Sequence, residues 1–116
     1  MTSPTTQENN APLKIIADKY RGFARHFGAA AALVALQRDI GSGGVVQFTG
    51  PSKLDAGGDK WRARLPDVCE PATTTPVVGE GRGGRGEAVG NLLEHILQQP
   101  ALVVRSSGRK VIYTVG

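Results

Sequence analysis

Glycine and proline are placed so that they divide this chain into short segments. The 116 residues include 16 glycines and 7 prolines, and these two residue types are the strongest interruptions of helices and strands. Interruptions fall at positions 41–44, 50–51, 66, 79–86 and 100. The chain is therefore expected to have many turns between short elements.

The first patterned segment, Leu13 to Ile40, is typical of a helix. Its apolar residues recur at steps of three, four and seven, which places them on one stripe of a helix. Gly28 is a candidate break, so the segment predicts one long helix or two shorter ones. The apolar stripe consists of Ile16, Tyr20, Phe23, Phe27 and Val34, and the opposite basic stripe consists of Lys14, Arg21 and Arg25.

Three short strands are predicted next, at 45–49, 60–65 and 75–78. In the second of them, basic residues alternate with Trp61, Ala63 and Leu65, which are expected to face inward. Residues 87–98 have the pattern of an amphipathic helix that ends before Pro100. Residues 102–105 and 110–115 then predict a hairpin around Ser106-Ser107-Gly108.

This order of elements predicts an α+β fold. We expect an antiparallel sheet of about four to five strands with two helices packed on one face, in the order α-β-β-β-α-β-β. Residues 1–12 are polar and have no apolar pattern, so they are expected to be a disordered tail. Residues 13–116 are expected to form a single domain.

The residues that carry chemistry in enzymes are sparse here. Cys69 is the sole cysteine, and no spacing links it to His26 or His95. No carboxylate pair and no metal-ligand spacing is evident. We therefore predict a non-enzymatic protein with no catalytic residue, metal or cofactor.

The location is expected to be cytoplasmic. The first twelve residues are polar, unlike a secretory signal, and the longest apolar run, 28–36, is far shorter than the ~20 residues of a membrane span. No membrane partner is therefore expected.

Basic residues on the second predicted strand are the first candidate site. The chain has a formal charge of +4, from 14 basic and 10 acidic side chains, which favours polyanionic partners. Lys60, Arg62 and Arg64 are expected on one face of the strand, about 6–7 Å apart, and phosphates along a nucleic-acid strand have a similar pitch. The same pattern is also found on ordinary solvated strand faces.

The glycine-rich segment 79–86 is the second candidate site. Gly79, Gly81 and Gly84 match a dinucleotide-binding fingerprint, although no acidic residue stands at the expected distance and too little chain follows for a doubly wound sheet. Arg82 and Arg85 at a helix N-terminus would suit a phosphate or carboxylate. The alternative is a surface loop whose arginines keep it soluble.

From Val45 onward the chain resembles the double-stranded RNA-binding domains. The resemblance rests on Gly50-Pro51-Ser52-Lys53, on the alternating strand Lys60 to Leu65, and on the glycine-rich approach 79–83 to the second helix. It implies a helix, three antiparallel strands, a second helix and RNA binding. The chain departs from that family where lysines are expected at the start of the second helix, because Arg85-Gly86-Glu87 stand there.

The same stretch is similar to HicB-type antitoxin domains. Asp55 to Gly58, Trp61 to Asp67, Gly79 and Glu87-Ala88 fit that outline, whereas Val68-Cys69-Glu70 replaces the usual Pro-Gly-Cys. This resemblance implies a protein partner and often DNA.

The function predicted from the sequence is non-enzymatic nucleic-acid binding through phosphate contacts, with RNA favoured over DNA. The alternative is a protein-interaction module, antitoxin-like or an inhibitor encoded by a virus or plasmid, with the apolar helix stripe or a sheet edge as its interface. A homodimer is compatible with either, and nucleotide binding by the glycine-rich loop is a third hypothesis. The predicted nucleic-acid-binding residues are Lys53, Lys60, Arg62, Arg64, Arg82 and Arg85, and the predicted loop backbone contacts are Gly81, Gly83 and Gly84.

Overall fold

A computed structural model of the chain describes residues 13–51 and 60–116. The predicted tail at 1–12, the predicted turn at 54–59 and the candidate ligand Lys53 lie outside the described residues. Within the described ranges no helix is long and apolar enough to cross a membrane.

The described residues form six strands and three helices, which confirms the predicted α+β class with one strand and one helix more than expected. The strands are β1 (Leu13–Ile15), β2 (Gln47–Thr49), β3 (Trp61–Cys69), β4 (Pro76–Gly81), β5 (Ala101–Ser106) and β6 (Arg109–Val115), and the helices are α1 (Ala17–Phe27), α2 (Ala29–Ile40) and α3 (Arg85–Gln98).

Two glycines set the helix boundaries in the N-terminal half. Gly28 has φ +95° and separates α1 from α2, so the candidate break is confirmed. Gly41 ends α2 in the left-handed conformation, with φ +72°, where a side chain would be strained. The expected helix start at Leu13 is wrong, because residues 13–15 pair with β6 as a strand.

Strand β3 is the centre of a mixed sheet. It pairs antiparallel with β4 along one edge and with β2 and β5 along the other. Strand β5 pairs antiparallel with β6, which in turn pairs in parallel with β1. The prediction of a wholly antiparallel sheet is therefore wrong at its β1 edge. There, residues 13–15 pair with residues 113–115, and this contact between distant parts of the chain outweighs the helical pattern of the local sequence.

All three helices pack on one face of the sheet, as predicted. Their buried side chains share a single core with inward-facing residues of β3, β4 and β5. The largest fully buried side chains of this core are Leu33, Leu36, Leu65, Leu92, Ile96, Leu102 and Val68.

Helix α1 is rotated away from the orientation that its apolar stripe suggests. Tyr20 is buried, but the other four stripe residues are exposed, with Phe27 68% exposed. The Tyr20 hydroxyl donates to Asp39 of α2, and Arg21 forms an ion pair with Glu94 of α3, with 3.2 Å between Nε and Oε2. These contacts fix α1 with Arg21 toward α3, so the predicted basic stripe is not a separate surface. The exposed stripe residues are Ile16, Phe23, Phe27 and Val34.

Candidate nucleic-acid interface

The side of the sheet opposite the helices, which we call the open face, is strongly basic. Side chains alternate between the two sides of each strand, and burial and strand pairing identify which positions face away from the helices. Lys60 is half-buried and the other basic residues of this face are exposed. The basic residues of the open face are Lys14, Lys60, Arg62, Arg64, Arg105 and Lys110.

Strand pairing brings these residues together from distant parts of the sequence. Arg105 is paired with Lys110 across β5 and β6. Arg105 also follows Val104, the partner of Val68 in β3, so it lies beyond Arg64 along β3. At about 3.3 Å per residue and 4.8 Å per strand, the distance from Lys60 to Lys110 is about 25 Å. The basic residues thus form a diagonal track across the sheet.

One carboxylate lies among these basic side chains and neutralises part of their charge. Glu80 accepts a hydrogen bond from Arg62 Nε at 2.8 Å and lies 3.6 Å from Lys60 Nζ. The hydrogen bond from Arg62 and the charge of Lys60 hold the pKa of Glu80 below its usual range. Among the described strand residues, Glu80 is the only acidic residue that side-chain alternation places on the open face. Asp67 is not counted, because it lies in the irregular part of β3 and accepts a hydrogen bond from Ser42.

Aromatic rings do not contribute to the open face within the described residues. Trp61 and Tyr113 pack against the helix-side core, and Phe48 is paired with Ala63, whose side chain faces the helices. The open face therefore offers cations, polar groups and the exposed aliphatic side chain of Ile112, but no rings on which bases could stack.

Cys69 lies on the open side of β3 but is buried. It is paired with Val103 of β5, which is buried as well. Burial raises the pKa of the Cys69 thiol, so this group stays protonated and behaves as a small apolar side chain.

The glycines of the predicted phosphate loop serve the contact between β4 and α3. A Cβ atom on Gly79 would lie 2.0 Å from the backbone nitrogen of Leu92, and one on Gly81 would lie 2.7 Å from that of Ala88. Helix α3 therefore crosses β4 at a distance that excludes any larger residue at either position. Gly79 and Gly81 are explained by packing without a ligand.

The backbone donors of the same turn are already in use. The carboxylate oxygen Oε2 of Glu87 accepts hydrogen bonds from the amides of Arg82, at 2.6 Å, and Gly83, at 3.1 Å. A carboxylate of the chain itself thus lies where the sequence predicted an external anion.

Arg85 is separated from the open face. Its guanidinium carbon lies 4.9 Å from the centre of the Trp61 ring and 5.4 Å from that of Phe48, on the helix side of the sheet. Arg82 is exposed in the turn before α3. Of the predicted binding residues within the described ranges, the structure brings together Lys60, Arg62 and Arg64 and leaves Arg82 and Arg85 outside this group.

Arg105 and Lys110 were not among the predicted nucleic-acid-binding residues, and Lys14 was predicted on the basic stripe of a helix rather than on the sheet. Alternation within the predicted C-terminal hairpin was a usable signal for the pair Arg105 and Lys110. Their position beside β3 depends on how β5 pairs with β3, which the sequence of either strand alone does not reveal.

The free edge of β4 is covered by side chains of α3. His95 Nδ1 lies 2.6 Å from the carbonyl oxygen of Val78 and must donate to it, and the Asn91 side-chain amide donates to the carbonyl of Glu80. The His95 ring therefore has a hydrogen-bond partner in the fold. This edge is thereby less suited to pairing with another chain.

Comparison with known proteins returns no match: no protein-family model, curated protein or solved structure is similar to this chain at a significant level. The resemblances to double-stranded RNA-binding and HicB-type domains stay predictions.

Proposed function

We propose that this protein binds the phosphate backbone of nucleic acid through the open face of its sheet. The observation that carries the proposal is the charge of that face, where six basic side chains of the described residues stand against one carboxylate. Phosphate contacts supply most of the affinity of non-specific nucleic-acid binding.

The length of the basic track supports about four phosphate contacts. A track of about 25 Å with phosphates at a 6–7 Å pitch accommodates that number. Because each neutralised phosphate releases counterions, four contacts predict an affinity loss of about 100-fold between 50 and 200 mM salt.

The composition of the face supports binding with little sequence preference. Phosphate contacts carry no sequence information, whereas unpaired bases are usually held by stacking on aromatic rings, and the described part of the open face carries no ring. Its ligands are therefore expected to be distinguished by the geometry of their backbone.

Double-stranded RNA is the preferred ligand within this proposal. The order α2-β2-β3-β4-α3 is the one that the resemblance to double-stranded RNA-binding domains implies. The footprint proposed here differs from the one expected for that family, because Glu87 occupies the turn at the start of the second helix.

The test is binding to labelled double-stranded RNA, double-stranded DNA and single-stranded RNA, each at about 50 and 200 mM salt. We expect binding at low salt that falls by about 100-fold at high salt, and the tightest binding to double-stranded RNA. Binding that is unaffected by salt, or absent for all three, would contradict the proposal.

Charge reversal locates the surface. The double variant Arg64→Glu/Arg105→Glu should lower affinity by more than about 100-fold at low salt, because it replaces two cations of the track by anions. The double variant Arg25→Glu/Arg38→Glu is the matched control, since it makes the same change in net charge and both residues are exposed on helices outside the open face. An equal loss in this control would mean that net charge alone, and not the open face, determines binding.

Protein interaction is the second candidate function, and it is supported by the exposed apolar residues of α1 and α2. Phe23 and Phe27 form a ring pair with centroids 4.8 Å apart, and Phe27 is largely exposed. Exposed apolar groups of this kind favour contacts with a partner surface. Under this candidate, Phe27→Ser lowers the mass of an oligomer measured by light scattering, whereas a monomer of unchanged mass argues against self-association.

A further inference from the structure

A cleft of about 370 Å³ lies on the helix side of the sheet, between the end of α2 and the hairpin of β5 and β6. This volume is in the range of small-molecule sites. Its walls combine aliphatic side chains of the hairpin with polar groups at the rim. The apolar wall includes Val104 and Val111, and the polar rim includes Arg38, Arg109, Ser106 and Ser107.

Two guanidinium groups border this cleft without a carboxylate partner. Among the described residues, neither Arg38 nor Arg109 lies within 4 Å of an acidic oxygen. Asp39 also lines the cleft, but its carboxylate accepts the hydroxyl of Tyr20 and lies 3.3 Å from Lys19 Nζ. The two arginines therefore keep their forked donors for an external oxyanion.

The end of α2 adds little negative charge to the cleft. The carbonyl of Gln37 accepts the amide of Ser42, and that of Arg38 accepts the amide of Gly41. The carbonyl of Ile40 accepts the Tyr113 hydroxyl at 3.1 Å. Because these carbonyls are bonded, the helix terminus repels an anion less than an uncapped one would.

The hairpin turn holds further donors at the rim. Ser107 and Gly108 have φ of +53° and +75°, as in a two-residue hairpin turn of type I′. Ser106 is paired with Arg109 across this turn. The hydroxyls of Ser106 and Ser107 make no hydrogen bond to other described residues, so both can donate to a ligand.

We propose that this cleft binds a small organic phosphate, a monoester whose body is no larger than a nucleoside. Arg38 and Arg109 bind the phosphate, the two serine hydroxyls complete its hydrogen bonding, and the body packs on Val104 and Val111. The cleft and the open face lie on opposite sides of the sheet, so this site is independent of the nucleic-acid proposal.

Calorimetric titration and thermal unfolding with AMP, ribose 5-phosphate, inorganic phosphate and adenosine test the site. We expect saturable stabilisation by AMP and weaker stabilisation by the two smaller phosphates. Adenosine, which lacks the phosphate, should be at least about 10-fold weaker than AMP, because charge-assisted hydrogen bonds supply the recognition. Adenosine binding equal to that of AMP would overturn phosphate recognition.

Single variants connect the result to the cleft. Arg38→Gln and Arg109→Gln should each weaken AMP binding by about 10-fold, and both residues are exposed, so the fold should be retained. Arg25→Gln and the open-face variant Arg64→Gln are controls that should leave AMP affinity unchanged. The proposal is overturned by the absence of binding to every phosphate tested, or by an equal loss of AMP affinity in the Arg64→Gln variant.

Discussion

The open face and the turn between β4 and α3 carry similar sequence signals but use them differently. Both combine basic residues with positions that sequence reasoning assigned to phosphate binding. On the open face, Arg64 and its neighbours point away from the core. In the turn, Gly79 and Gly81 accommodate a crossing helix, and Glu87 takes the backbone donors. A glycine- and arginine-rich segment therefore indicates a ligand site only where its glycines and backbone donors are not already used by contacts within the protein.

The largest expected effect comes from adding one methyl group to the helix crossing. Gly79→Ala should lower the free energy of unfolding by at least about 3 kcal/mol, because its Cβ would overlap the backbone of Leu92. Urea unfolding measures this effect. Gly86→Ala is the matched control, since no atom beyond its chain neighbours and the backbone of its own helix lies within 4 Å of the new Cβ, and it should be neutral or raise stability by up to about 1 kcal/mol. Equal stability of the two variants would show that the crossing is looser than described.

Removing the internal carboxylate of the turn should have the next largest effect on stability. Glu87→Ala should lower the free energy of unfolding by about 1–2 kcal/mol, because the amides of Arg82 and Gly83 lose their acceptor and α3 loses an acidic residue in its first turn. The same variant should leave nucleic-acid affinity within about 3-fold of the original. A large gain in affinity would instead assign the freed turn to phosphate binding.

Arg85 tests whether a basic residue of the turn serves the fold. Arg85→Gln should lower the free energy of unfolding by about 0.5–1 kcal/mol, because it removes the cation from the rings of Trp61 and Phe48. Trp61 is the sole tryptophan of the chain, so its fluorescence emission reports the loss of the contact directly. An unchanged emission spectrum would argue against the stacking.

The smallest effect on stability is expected at the carboxylate of the open face. Glu80→Gln removes exposed ion pairs with Lys60 and Arg62, which contribute little to stability, and should raise nucleic-acid affinity by about 3- to 10-fold at low salt. Because the pKa of Glu80 is held below its usual range, the carboxylate stays ionised from pH 5 to 8. Glu80 should therefore cause no pH dependence of binding over that interval, and only its substitution should remove its ion pairs with Lys60 and Arg62.

Local patterns predicted the α+β class and several element boundaries. The break at Gly28, the alternation in β3 and the C-terminal hairpin around Ser107 follow from residues within a few positions of each other. Such signals depend on backbone conformation and side-chain period, which are local properties.

Features that depend on distant contacts could not be predicted from the sequence. Strand β1 forms because residues 13–15 meet the last strand of the chain. The periodicity of α1 defined an apolar stripe but not its direction, which Tyr20 and Arg21 set through α2 and α3. In the candidate site, Arg105 joins the basic track through the register of β5 on β3. The spacing of Lys60, Arg62 and Arg64 was the part that one strand could predict alone.

The side chains of Asn91 and His95 on β4 have a consequence for the behaviour of the protein at high concentration. An edge strand with unoccupied carbonyls is a template on which identical molecules can stack into fibrils or exchange segments. Here the outward carbonyls of Val78 and Glu80 are bonded by a helix of the same molecule. Protection of the β4 edge against pairing with other molecules therefore depends on side chains of α3 and not on β4 itself.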